Sequence, residues 1–438
     1  MKLDRAESSY RVRVEAAEQA RNRTHLKHEA NPDEERYGFA NYLMNFTKGL
    51  KHSHDLGVVE DRNHFKAFRT CIDEGYADPF TSRVFVPTDE ARRQWEAPTA
   101  GVVYDLEGPD AQAVTMPPAP ELCSDELTFE MAEVYELALL RDVEFTNFNK
   151  ATAAGAGKTK VDGSVKRLNA MDYAKDGFEG RPRSTDAADK LDLQTVFRGS
   201  SPGVDIGPYV SQFLWIGNDD VCHKIEDGFV TYGAQKIDQR VPVASKKDDY
   251  MQTWKSWLRV QDGYDVNMGA PGQDLKCPER FICTPRDLAT YVHFDALYQA
   301  YLNATLILLK MGTPFDPSFA KLSGMRNKYG PGDPTGTKLN AGGFALWGGP
   351  HILTLVTEVA TRALKAVRYQ KFNNHLRLRP EALAGRISRA QKLEEEFPAL
   401  CGCLTDMCGD LGATLKEIAK HNGKDDKLGT KNYLFHPG

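Results

Sequence analysis

One segment limits the possible folds of this chain more than any other. From Pro350 onward, Ile352, Leu353, Val356, Val359, Ala360 and Leu364 recur at helical spacing, and Pro380 ends the pattern. A helix this long with one apolar face has to lie against other elements. Its polar end carries Arg368, Lys371, His375 and Arg379, spaced 3, 4 and 4 apart, so a helix over Arg368 to Arg379 lines them on one face. Three permanent cations and an imidazole repel one another unless an anion or acidic side chains sit against them. Arg379 offers a planar fork for a tetrahedral oxyanion, and Lys371 offers a point charge. The competing reading is a solvated basic face, or one paired with acids elsewhere. Because the residue before a proline avoids the helical region, Arg379 is expected at or just past the helix end.

Other helices can be read the same way. Leu127 to Val143 places Met131, Val134, Leu137 and Leu140 at helical spacing. Thr284-Pro285-Arg286-Asp287 is a helix start, with Thr as N-cap, Pro at the first helical position and an acid at the third. That helix is expected to run to about Met311, apolar on most faces, with Asp295 inside it as a buried acid; Gly312 and Pro314 stop it. Residues 77–122 read as a long excursion with a short hairpin near Val84-Phe85-Val86. Residues 150–164 read as a Gly/Ala loop. Within that loop, Gly157-Lys158-Thr159 lacks the upstream Gly and the preceding strand of a phosphate-binding loop, so that function is set aside. The whole reads as all-α, a helical bundle with long loops and at most minor β-hairpins. Residues 1–35 form a charged arm, helical around Arg11 to Arg23, ahead of a helical domain over 36–438.

Composition narrows the function. A net charge of -5 gives no basic excess for nucleic acid. Eight cysteines are too few for a disulfide scaffold, and reduced thiols are expected. Cys401, Cys403 and Cys408 cluster, with His421 the nearest later histidine, but this is not the paired spacing of a zinc site. No metal ligand set is assigned. The start of the chain, Met1 to Glu7, has no apolar signal region, and no stretch has membrane-span length; a cytoplasmic location away from membranes is the expectation.

The run from Arg368 to Ala382 resembles the first signature of the vanadium-dependent haloperoxidases, a Lys, a spacer and Arg-Pro. Lys371 and Arg379-Pro380 fit the longer spacing of the algal and cyanobacterial bromoperoxidases. Phe46-Thr47-Lys48-Gly49-Leu50, Glu130 to Tyr135, Leu139 to Val143, Gly207 to Leu214, Arg286 to Tyr298 and Gly348-Gly349-Pro350 are also similar to bromoperoxidase segments, in family order, across roughly residues 38 to 390.

The resemblance implies a haloperoxidase-like bundle with vanadate held among helix ends by Lys371 and Arg379. It implies Arg368 and His375 as second-layer or halide-handling residues; Asp295, read as a buried helix acid, is a satisfied core carboxylate or, as the rival reading, the orienter of a site arginine. Hydrogen peroxide, bromide or another halide, and a small organic acceptor are the implied substrates. A calcium site near Phe315-Asp316-Pro317 and assembly as a homo-oligomer are further implications. The family site is shared with phosphatidic acid phosphatases, so phosphate-ester hydrolysis and a non-catalytic anion-binding subunit are the alternatives. Downstream of Pro380 the sequence contains neither the family's Gly-His motif nor its Arg…His motif, and Asn432-Tyr433 with His436-Pro437 resembles the segment just before the former. The expectation is therefore a bundle lacking its C-terminal part. Residues 1–438 alone should then oxidise little bromide, and a partner chain carrying those motifs would complete the site.

Overall fold

The computed structural model describes residues 4–24, 26–30, 33, 42–87, 92–105, 109–199, 203–204, 207–218, 227–247, 249–266, 275–313, 319, 322, 343–423 and 432–434. Among these are fourteen α-helices. They are α1 (Arg5–Arg21), α2 (Arg62–Glu74), α3 (Asp78–Arg83), α4 (Asp125–Leu139), α5 (Gly155–Leu168), α6 (Asp172–Lys175) and α7 (Trp254–Gln261). Then come α8 (Pro285–Phe294), α9 (Gln299–Lys310), α10 (Gly349–Tyr369), α11 (Pro380–Ser388), α12 (Ala390–Glu396), α13 (Cys403–Asp410) and α14 (Gly412–Asn422). Two antiparallel pairs supply the strands: β1 (Phe229–Tyr232) with β2 (Gln235–Asp238), and β3 (Val241–Ala244) with β4 (Leu275–Arg280). The helical class with minor hairpins is what the sequence indicates.

Local chemistry explains the boundaries. Ser124 accepts from Leu127 N at 3.1 Å and starts α4. Thr284 and Asp287 form a reciprocal capping box at α8. The main core joins α4 and α5 to α11–α14, through Leu127, Phe129, Met131, Tyr135, Val161, Leu383, Leu404 and Leu415. A second, aromatic core gathers Phe46, Phe65, Phe68 and Phe372, with Trp95 against it.

Several expectations are corrected. The helix from Pro285 breaks at Asp295, which is extended and exposed, so it is not a buried acid. Tyr298, at φ 56°, turns the chain into α9, which packs on α10 and β1 through Leu306 and Ile307. The apolar pattern is therefore met by two helices in different places. Residues 155–164 are helix rather than loop, because Gly157 lets α5 approach Asn147 closely: an added Cβ would stand 2.6 Å from its side chain. The hairpin lies at β1–β2, turning at Gly233 (φ 59°), while Asp78 to Arg83 is helical and Val84 to Val86 is not a strand. The reduced-thiol expectation also fails for two cysteines: Cys123 and Cys403 are joined as a disulfide, with Cα atoms 5.4 Å apart. The tail of the arm is tied to the body. His28 Nε2 lies 2.8 Å from Gln112 O, and Asp33 accepts from Leu122 N. Phe315-Asp316-Pro317 and His436-Pro437 lie outside the described residues.

Candidate functional site

The cationic segment does not continue as one α-helix. After Tyr369 the chain widens into a π-turn over Gln370–Asn374, closed by His375 N donating to Gln370 O at 2.7 Å. Such turns recur at functional sites. Leu376, at φ 51°, then reverses the chain, and residues 376–378 run beside residues 44–46. Phe46 N donates to Leu376 O at 2.7 Å and Leu378 N to Met44 O at 3.0 Å. Arg379 is the extended N-cap of α11, with Pro380 at its first position. The single stripe along a continuous helix is thus corrected: the cations meet across a turn.

Lys371 is brought into this meeting point. Its ammonium stands 4.5 Å from the Phe46 ring centroid and 4.8 Å from that of Phe372. Burial, then the nearby charges of Arg379, Arg368 and Lys48, push its pKa down to about 8. Arg368 is half-buried, and its Nε has no hydrogen-bond partner among the described residues. His375 is not in this group. It faces the other side, where burial and then Arg377 lower its pKa and Glu29 meets it through the backbone. Its Nε2 is buried without a partner among the described residues. Arg377 pairs with Glu130 at 2.9 Å, fixing the stretch between the two site cations.

Two residues of the site were not among the sequence candidates. Glu381 is 1% exposed, and its Oε1 accepts from Arg379 Nε at 2.7 Å and from Lys48 Nζ at 2.8 Å. Burial would raise its carboxyl, but Lys48 and Arg379 outweigh it and hold the pKa at about 2. The available signals were Glu381's place directly after Arg379-Pro380 and the family likeness of the Phe46 to Leu50 segment. Among the described residues, Arg379, Arg368 and Lys48 oppose the charge of Lys371 and Glu381 favours it, so positive charge predominates around the Lys371 ammonium. Together with an orphaned Arg368 Nε and a desolvated lysine, that excess fits a small multivalent oxyanion.

No family model matches the chain. Curated relatives do match. The vanadium-dependent bromoperoxidase of Corallina pilulifera is 39% identical over 444 residues, spanning 90% of this chain and 70% of the relative. The chain belongs to the vanadium-dependent bromoperoxidases. A second bromoperoxidase of that name, from Corallina officinalis, is 38% identical with the same coverage. Among solved structures, the homohexameric second vanadate-dependent bromoperoxidase of Ascophyllum nodosum superposes with a TM-score of 0.70 at 24% identity. That likeness establishes the bromoperoxidase fold over 99% of this chain and 64% of the neighbour. Family membership favours the haloperoxidase reading, a peroxidase among the oxidoreductases, over the phosphate-ester hydrolase. No helix among the described residues is long and apolar enough to cross a membrane.

Proposed function

We propose that this chain holds vanadate between Lys371 and Arg379 and, with a partner chain carrying the Gly-His and Arg…His motifs, serves the peroxide-dependent oxidation of bromide or another halide, delivered to a small organic acceptor. The observation that carries it is the desolvated Lys371 set among Arg379, Arg368 and Lys48, with the buried Glu381 paired to Arg379 and Lys48. Bound vanadate supplies activation of hydrogen peroxide without changing its own oxidation state. Lys371 supplies a point charge to the oxyanion, and Arg379 supplies the planar edge left after Nε is anchored. Arg368, whose buried Nε has no partner among the described residues, attracts halide to the same site. His375 supports the π-turn from behind. The residues implied for calcium, Phe315-Asp316-Pro317, lie outside the described residues.

Assembly as a homo-oligomer and the division into an arm over 1–35 and a helical domain over 36–438 belong to the same proposal. The Cys123–Cys403 disulfide supports an oxidising compartment rather than the reducing cytoplasm.

Isothermal titration with orthovanadate and orthophosphate tests the reading. Lys371→Ala and Arg379→Ala should each weaken binding by about 1–3 kcal/mol, the cost of losing a hydrogen bond to a charged group. Unchanged affinity in both variants overturns it.

A further inference from the structure

Lys48 stands on a loop built more firmly than a surface ion pair requires. Trp95 Nε1 donates to Lys48 O at 2.7 Å, and Gly49 N donates to Gln261 O at 2.7 Å. On one flank Asn45 bridges to Arg377 of the site segment. On the other, Thr47 Oγ1 lies 2.9 Å from His52 Nε2, and Asp262 Oδ1 accepts from His52 N at 2.8 Å. Gly49 sits at φ 99°, and a Cβ there would come within 2.5 Å of the Trp95 indole. Backbone, indole and a buried histidine together fix where Lys48 starts. Its ammonium ends on the same Glu381 oxygen that receives Arg379 Nε.

That shared oxygen matters for charge. A buried carboxylate paired with Arg379 alone would neutralise the guanidinium it orients. With Lys48 on the same oxygen, two cations share one negative charge, and Arg379 is held in place while part of its charge stays available. Among the described residues no acceptor meets the Nη groups of Arg379, whose side chain is 44% exposed.

We propose that Lys48 is a positioning residue of the oxyanion site: it takes up the charge of Glu381, so that Arg379 is anchored through Nε yet presents an unneutralised Nη edge to the anion. This rests on the oxyanion reading above. Its chemistry is ion pairing, and no proton or electron changes place.

The test is orthophosphate and orthovanadate titration of the full chain, with thermal melts to confirm folding. Lys48→Met should weaken binding about tenfold or more, the scale of one charge-assisted contact. Lys48→Arg should keep affinity within about threefold of the parent, since the charge is conserved. The deciding variant is Lys48→Met combined with Glu381→Gln. Removing the carboxylate charge frees Arg379 again, so binding should return to within about threefold of the parent. A merely structural lysine would not be rescued by a second change, so weak binding in the double variant overturns the proposal. Lys371→Ala separates the two readings. If it weakens binding while Lys48→Met leaves it unchanged, the oxyanion site stands and the role of Lys48 falls. If Lys371→Ala and Arg379→Ala are also without effect, both fall. Should Lys48→Met not fold, Lys48→Gln, alone and with Glu381→Gln, is read by the same criteria.

Discussion

Glu381 and Lys371 show how one cluster shifts two groups by opposite routes. Lys48 and Arg379 hold the Glu381 carboxyl at about 2, below its ordinary 4.5. A depressed carboxyl contributes stability that is present above the unfolded pKa and lost as pH falls through the folded one. Thermal melts should therefore show parent stability falling between about pH 4.5 and 2, by roughly 2–3 kcal/mol from this group. Glu381→Gln should lack that share of the fall; an identical acid profile in the variant would refute the pairing. Lys371 titrates at about 8 rather than 10.5, because burial and three cations oppose its charge. Anion affinity should decline as pH rises through about 8. Sulfate, whose charge is constant there, is the clean ligand for titration at pH 7 and 9. A flat profile would mean that Lys371 does not carry the anion.

At the scale of elements, the glycines beside the aromatic packing make the sharpest prediction. A Cβ at Gly385 in α11 would stand 2.1 Å from the fully buried Trp257 indole. Trp257 Nε1 in turn donates to Glu381 O at 2.7 Å. Gly385→Ala should cost about 1–3 kcal/mol by overpacking and disturb the site through that bond, read by denaturant unfolding and by phosphate affinity. Unchanged stability would mean that α11 can slide.

Element ends were the legible part of this fold. Thr284-Pro285 and Gly348-Gly349-Pro350 mark helix starts because caps act through neighbours in sequence. The π-turn was not legible, since closing at i+5 rather than i+4 needs no distinctive residue. Nor was the break at Asp295, because two successive helices carry the same period as one. Lys371 and Arg379 were legible as an oxyanion pair from charge spacing, with a solvated basic face as the rival reading, and the family signature decided between the two. Lys48 and Glu381 meet across 333 residues, and nothing local announces a pair of that separation.

At the scale of the molecule, the described residues leave an apolar face open. Tyr301, Trp347, Ile352, Leu355, Val356 and Val359 line a groove of about 500 Å³ between α9 and α10. Val359 and Tyr301 are 63% and 64% exposed. A contiguous apolar surface of this kind drives association. Light scattering should find the chain self-associated, and Val356→Lys with Val359→Lys should shift it toward monomer. A monomeric parent would refute this.

The Cys123–Cys403 bond gives the molecule a further property. It closes a ring across 280 positions, so the backbone between them is no longer the only covalent path from one half to the other. A single protease cut anywhere inside that ring cannot release a fragment. On a gel without reductant the nicked chain should migrate as one species, and reductant should split it in two; separation without reductant would show the ring open.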